Sequence, residues 1–286
     1  MAITSSSDAA LDTRFETLVT RRDGAVLHVT LNRPESRNAM SLRMVMELRL
    51  ALDAAETGGN VRALVLRGAG GHFCAGGDLK DMAEARMRSM QATPPAGESG
   101  TGPDAIAEVN AQFGKLCVAF ANTPMALVAV LEGTVMGGGF GLACVADVAL
   151  AGTSAAFRLP ETSLGVVPAQ IAPFLVERLG YSQAKRLAVT GGRLGATDAL
   201  SIGLVHAVHA PDQLDAALAA VLTDILACAP GAIAATKALM AKARFTAPAN
   251  LVEEAAQVFS RAAQGPEGLE GTTAFLQKRK PNWALQ

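Results

Sequence analysis

The 286-residue chain has almost no excess of either charge: 25 basic residues against 26 acidic ones leave a net of −1. That balance excludes a general attraction to nucleic acid or to an anionic membrane surface, so neither is an expected partner. The four cysteines, Cys74, Cys117, Cys144 and Cys228, stand far apart and form no CxxC pair. No apolar run reaches the roughly 18 residues of a membrane span, and the N-terminus lacks the apolar stretch of a secretory signal. Reduced thiols and a soluble, cytoplasmic protein are the expectation.

Several chemistries lack their residues as well. There is no GxxxxGK[ST] phosphate loop, no GxGxxG and no GxSxG, which sets aside nucleotide hydrolysis, dinucleotide binding and serine hydrolysis. The histidines His28, His72, His206 and His209 form no HExxH, and the last two fall in the alternating segment "LVHAVHA". They read as ordinary surface or core histidines, and no metal is expected.

What is present is apolar. Hydrophobic residues make up 50% of the chain and the mean hydropathy is +0.27, enough for a large core in one large domain or two smaller ones. The first thirteen residues are mostly small and polar and read as a loose arm. Strand patterns follow at Ala25–Leu31 and Ala63–Gly68, and the helical stretch between them places Leu42, Val45, Met46 and Leu50 at helical spacing. This is a β-α-β rhythm. Residues 91–103 collect Pro, Gly, Ser and Thr and read as a mobile loop, either a lid or a tolerated insertion. Beyond about Pro211 the pattern changes to Ala/Leu-rich helices. The expected organisation is an arm at 1–13, an α/β core at 14–210 and a helical region at 211–286.

The segment "VMGGGFGLACVAD" sets Gly137, Gly138, Gly139 and Gly141 inside an apolar run, between the strand pattern of Met125–Gly133 and a short helix that leads to another strand at Val148–Ala151. Glycine weakens helix and strand interiors, so such a cluster marks a tight turn or a backbone that something must approach. A strand-to-helix junction also leaves unpaired N–H groups at the positive end of a helix. Close packing of the helix on the sheet accounts for the same glycines. A second such junction is "GHFCAGGDLKDM", where Ala75–Gly77 end an apolar segment and Asp78 can cap the next helix. Together the two sites can present two N–H groups to one oxygen, as a thioester carbonyl becoming an enolate requires.

The segments "LNRPESRNAMS", "FCAGGDLKDM", "LEGTVMGGGFGLACVADVALA", "FRLPETSLGVVPA", "DALSIGLV" and "FLQKRKPNW" stand in one order along nearly the whole chain after about Phe15. In this the chain resembles the enoyl-CoA hydratase/isomerase, or crotonase, family. The resemblance implies an α/β fold: a spiral of β-β-α turns over 14–210, followed by a helical trimerisation region over 211–286. It also implies an acyl-CoA substrate, assembly as a homotrimer or as a hexamer of two trimers, and no cofactor beyond the coenzyme A that the substrate carries. Gly77 and Gly138 match the oxyanion-hole donors. Arg37 and Ala39 in "NRPESRNA", together with Ala75 and Lys80, match positions lining the CoA channel. Phe275 and Lys278 match a tail that closes over CoA, often on a neighbouring subunit; a solvated helix end explains that basic tail equally well.

Hydratases of the family typically carry two glutamates. Glu161 in "LPETSLG" matches the second, whereas Gly141 occupies the place of the first. One carboxylate suffices to move a proton beside a thioester carbonyl, and an apolar pocket raises its pKa toward working pH. Adding water also requires the water to be held and deprotonated, which makes a simple two-glutamate hydratase doubtful. The combination "GGFGLAC" with "ETSLGVVPAQIAPF" is most similar to hydratases of branched glutaconyl-CoA esters, such as 3-methylglutaconyl-CoA and isohexenylglutaconyl-CoA. Those substrates bring their own carboxylate: Gly141 then removes a repelling charge and leaves room for the branch. Arg158 is a candidate partner for that carboxylate, with an ordinary exposed arginine as the other reading. Two further functions stay open, a 3,2-enoyl-CoA isomerase using the same glutamate and a catalytically silent acyl-CoA-binding protein.

Overall fold

The computed structural model describes residues 14–58, 60–91 and 104–284. The expected N-terminal arm and residues 92–103 of the expected loop lie outside these; Gln91 itself ends a helix.

The chain opens with a hairpin, β1 (Leu18–Asp23) and β2 (Val26–Leu31), and continues through α1 (Leu42–Gly58) and β3 (Ala63–Gly68) to α2 (Leu79–Gln91) and α3 (Ala105–Asn122). Next come β4 (Ala126–Leu131), β5 (Thr134–Met136), α4 (Gly138–Val145), β6 (Val148–Gly152) and β7 (Ala156–Arg158). The helix α5 (Ala172–Thr190), β8 (Arg193–Gly195), α6 (Ala196–Ser201) and β9 (Ala207–His209) complete the core. Four helices follow: α7 (Leu214–Ala227), α8 (Pro230–Ala243), α9 (Pro248–Gln264) and α10 (Pro266–Leu276).

Six strands form one sheet in the order β1-β2-β3-β4-β6-β9, parallel except for the first pair. Every residue of β4 is buried, as a parallel strand covered on both faces requires. A smaller sheet, β5-β7-β8, stands beside it and receives the chain directly from β4. The expected β-α-β rhythm is β2-α1-β3. The buried stripe of α1, however, is Met44, Val45, Leu48, Ala51, Leu52 and Ala55, while Met46 and Leu50 are exposed. Both spacings are helical; the hydrophobic core, with α3 part of it, takes the face with Met44 and Leu48, and the opposite face stays bare in the single chain.

The terminal helices are held differently. The helix α7 buries Leu214 and Leu218 against the sheet, whereas α8 and α9 bury no residue and α10 only Ala274. Polar anchors tie this region down. Arg62 donates to the carbonyls of Leu226, Cys228 and Trp283 at 2.6–2.9 Å, and Lys237 Nζ reaches Met125 O at 2.7 Å and Asp147 Oδ2 at 2.6 Å. Among the described residues, no single helix is long and apolar enough to cross a membrane.

Candidate active site

Residues 74–78 are stitched between two neighbouring segments. On one side Ala75 N donates to Arg37 O at 2.9 Å, Met40 N to Gly76 O at 2.7 Å and Asp78 N to Met40 O at 3.0 Å. On the other, Cys74 N donates to Thr134 O and Met136 N to Cys74 O, both at 2.9 Å. The Arg37 side is itself fixed by buried Asn38, whose Oδ1 accepts from Arg33 N and whose Nδ2 donates to Ala69 O and His72 O. Arg37 and Asn38 adopt left-handed backbone to make this turn. Asp78 caps α2 by accepting from Lys80 N at 2.9 Å and pairs with Arg33 at 2.8 Å. Burial alone would raise its carboxyl; these two partners hold it below the ordinary value.

The glycines of the second junction have separate causes. Gly137 turns the chain with φ +48°, and a Cβ there would lie 3.1 Å from Glu161 Oε1 and 3.3 Å from Gly76 Cα. A Cβ on Gly139 would meet Cys74 Cβ at 2.7 Å, which is helix packed directly on strand. At Gly138 the neighbour is Phe113 Cζ at 3.2 Å, and at Gly141 it is Ile171 Cγ2 at 2.3 Å. So both readings of the cluster hold, each at different residues. The room expected beyond Gly141 is absent, because Ile171 and Phe113 fill it with an apolar wall.

Gly77 ends the first junction with no atom within 4 Å of the place its Cβ would take, and Gly138 is the first residue of α4. Among the described residues, no acceptor takes the N–H of either. Glu161 opens a short 3₁₀ turn, Glu161–Leu164, that lays its carboxylate beside the Gly137 backbone. Its Oε2 is buried without a hydrogen-bond partner among the described residues. Burial pushes this carboxyl above its ordinary value, against an opposing bond to its own backbone.

At the far end of α4, Arg178 donates to the carbonyls of Ala143 and Cys144 at 3.2 and 3.3 Å, and to that of Ala146. It also faces His206, whose Nδ1 accepts from Ala149 N.

The remaining residues singled out by sequence divide into groups. Arg37, Ala39, Ala75 and Lys80 share one rim: Ala75 bonds Arg37 as above, Ala39 O accepts from Arg33, and Lys80 stands exposed on the first turn of α2. Arg158 gives its carbonyl to Gly137 N at 3.1 Å and a guanidinium nitrogen to Ser163 Oγ at 3.3 Å, and it makes no pair with Glu161. Phe275 and Lys278 are exposed in the helical region, and among the described residues no hydrogen bond joins them to the rim. Sequence reasoning missed Phe113, Ile171 and Arg178. Phe113 and Arg178 carry no motif; Ile171 falls in the quoted segment "ETSLGVVPAQIAPF", but its part in the wall was hinted at only by the glycine opposite it.

Two glycine junctions whose N–H groups have no acceptor among the described residues, with a buried carboxylate beside one of them, are the arrangement of crotonase-fold acyl-CoA enzymes. The chain is a member of the enoyl-CoA hydratase/isomerase family, whose pattern matches residues 21–286. Among solved structures it is similar to Pseudomonas aeruginosa AtuE, with 52% identity and TM-score 0.87 over 94% of this chain and all of that one. An enoyl-CoA hydratase/isomerase from Marinobacter aquaeolei is 49% identical, with TM-score 0.87 over 94% of this chain and 99% of that one. The 2,3-dehydroadipyl-CoA hydratase of Escherichia coli strain K12 is 34% identical across 93% of this chain and 98% of its own length.

Proposed function

We propose that the chain hydrates the double bond of a 2-enoyl-CoA whose branched acyl part ends in a second carboxylate, such as 3-methylglutaconyl-CoA or isohexenylglutaconyl-CoA. The observation that carries the reading is the unpaired, buried Oε2 of Glu161 beside two free glycine N–H groups, with no second carboxylate at position 141. The relative from Escherichia coli, by its name, also acts on the thioester of a dicarboxylic acid.

In this reading the thioester oxygen accepts from the N–H groups of Gly77 and Gly138, which hold the charge that grows as the enolate forms. Ionised Glu161 takes a proton from water while the water oxygen bonds to C3. The same carboxyl then returns a proton to C2, so one H₂O is added and the carboxylate is regenerated. The phosphate-bearing end of coenzyme A lies along Arg37, Ala39, Ala75 and Lys80. Phe275 and Lys278, remote from that rim within one chain, act from a neighbouring subunit. The apolar residues left bare on α9, Val252 at 58% and Phe259 at 75% exposure, supply part of the contact in a homotrimer or a hexamer of two trimers.

Moving a double bond from the 3 to the 2 position is the second reading. It is favoured by the wall of Ile171 and Phe113 standing where a water-holding group would be. Turnover of crotonyl-CoA, a 3-enoyl-CoA and 3-methylglutaconyl-CoA, followed by enoyl-thioester absorbance, tests both. Hydration predicts fastest loss of absorbance with 3-methylglutaconyl-CoA; a gain of absorbance with the 3-enoyl ester alone overturns it in favour of isomerisation. No turnover of any of the three leaves a binding protein.

A further inference from the structure

Next to the apolar wall stands a pair of amides that the chemistry above does not use. Gln170 Nε2 donates to Asn110 Oδ1 at 2.7 Å, joining the loop before α5 to α3. The pair is built in rather than incidental. A Cβ on Gly114 would lie 2.0 Å from Gln170 Oε1 and 2.7 Å from its Cδ, so the Gln170 amide rests on bare helix backbone. Glycine is a poor helix former, and here its missing side chain makes the seat for Gln170.

Its neighbours fix where the pair points. Phe113, beside Gly114, packs against both Gly138 and Gly141; Ile171, beside Gln170, packs against Gly141. Asn110 lies one turn before Phe113 on α3, about 4.5 Å along the helix axis at 1.5 Å per residue. In an extended five-carbon diacid the two end carbons are about 5 Å apart at ordinary bond lengths. The length of such an acyl chain thus matches the step from Phe113 to Asn110, so a thioester at Gly138 whose acyl part runs along α3 toward its N-terminus would bring the distal carboxylate to Asn110.

We propose that Gln170 and Asn110 bind the distal carboxylate of the substrate. This rests on the hydration reading above and names what selects the acyl end at that same site. Among the described residues, no acceptor takes the Nδ2 hydrogens of Asn110 or the second Nε2 hydrogen of Gln170, and hydrogen bonds to a carboxylate are the strong kind.

The test compares 3-methylglutaconyl-CoA with 3-methylcrotonyl-CoA, its counterpart without the carboxylate, as a ratio of kcat/KM. Asn110→Leu and Gln170→Leu should each lower the ratio about tenfold through KM for the charged ester. Asn110→Asp, isosteric on an exposed helix position, should lower it further, because its carboxylate repels that of the charged ester. Ratios within twofold of the parent in all three variants overturn the assignment, as does a fall seen only in Arg158→Met, which would seat the carboxylate on Arg158. A parent enzyme that turns over only the uncharged ester overturns the glutaconyl reading itself.

Discussion

Ile171 takes the place of a side chain at Gly141: its Cγ2 lies 2.3 Å from where a Cβ on residue 141 would stand. The second glutamate typical of family hydratases is therefore not merely missing; its space has been given to a branched apolar side chain. Gly141→Ala alone should destabilise the fold by about 1–3 kcal/mol through overpacking. Ile171→Ala alone should cost about 2–5 kcal/mol by leaving a cavity. Together they should cost clearly less than the sum, since the new methyl enters the vacated volume. Urea denaturation of the three variants reads this coupling, and strict additivity would show that the two residues do not compete for space. Gly141→Glu is informative only in the Ile171→Ala background.

Glu161→Gln should leave acyl-CoA binding nearly intact and lower kcat by about 10²-fold or more, the size of general acid/base catalysis. Because burial raises the carboxyl, the acid limb of kcat/KM in the parent should lie above the ordinary glutamate range. The same shift fixes a sign for stability. Between the unfolded and folded pKa values the folded state holds more protons, so stability falls as pH rises through that window. Glu161→Gln should thus gain stability relative to the parent at pH 7 and lose that advantage near pH 4. Thermal melts at both pH values check it; an equal difference at the two would remove Glu161 as the buried carboxylate.

Position 138 separates a donor from a shape. Proline suits the first residue of a helix, so Gly138→Pro removes the N–H with little backbone cost, although either new Cβ must move the ring of Phe113, 3.2 Å away. The loss should be on the order of 3 kcal/mol of transition-state stabilisation. Gly138→Ala keeps the N–H and meets the same ring. Equal losses in the two would assign the effect to Phe113 and not to the missing donor.

Phe259 tests the assembly. It is 75% exposed on a helix that buries nothing in the single chain, and Val252 lies two turns earlier on the same face. Phe259→Glu should shift sedimentation toward the monomer. An unchanged oligomer would place the subunit contact elsewhere.

Legibility in the sequence followed the range of the interaction. The junctions at Gly77 and Gly138 were readable because glycine inside an apolar run has a local, backbone cause, and Glu161 was readable from its motif. The strands and helices announced themselves by period, down to the start of α7 at Leu214, three residues from the change of pattern seen near Pro211. The contacts of Phe113, Ile171 and Gln170 were not readable, because each matters through a partner 25 to 60 positions away and no periodicity records such a contact. The buried face of α1 was not readable for a related reason. Met46 and Leu50 continue an apolar helical spacing, but only the fold decides which side of a helix meets a sheet.

The guanidinium of Arg178 on the last carbonyls of α4 has an electrical consequence. A helix is a dipole with about half a charge at each pole, and in eight residues the poles are only about 12 Å apart. Left bare, the negative pole would cancel part of the field at the other. With a full positive charge seated on it, α4 acts on Gly138 more as a single positive pole than as a dipole, and a short helix does the electrostatic work of a longer one.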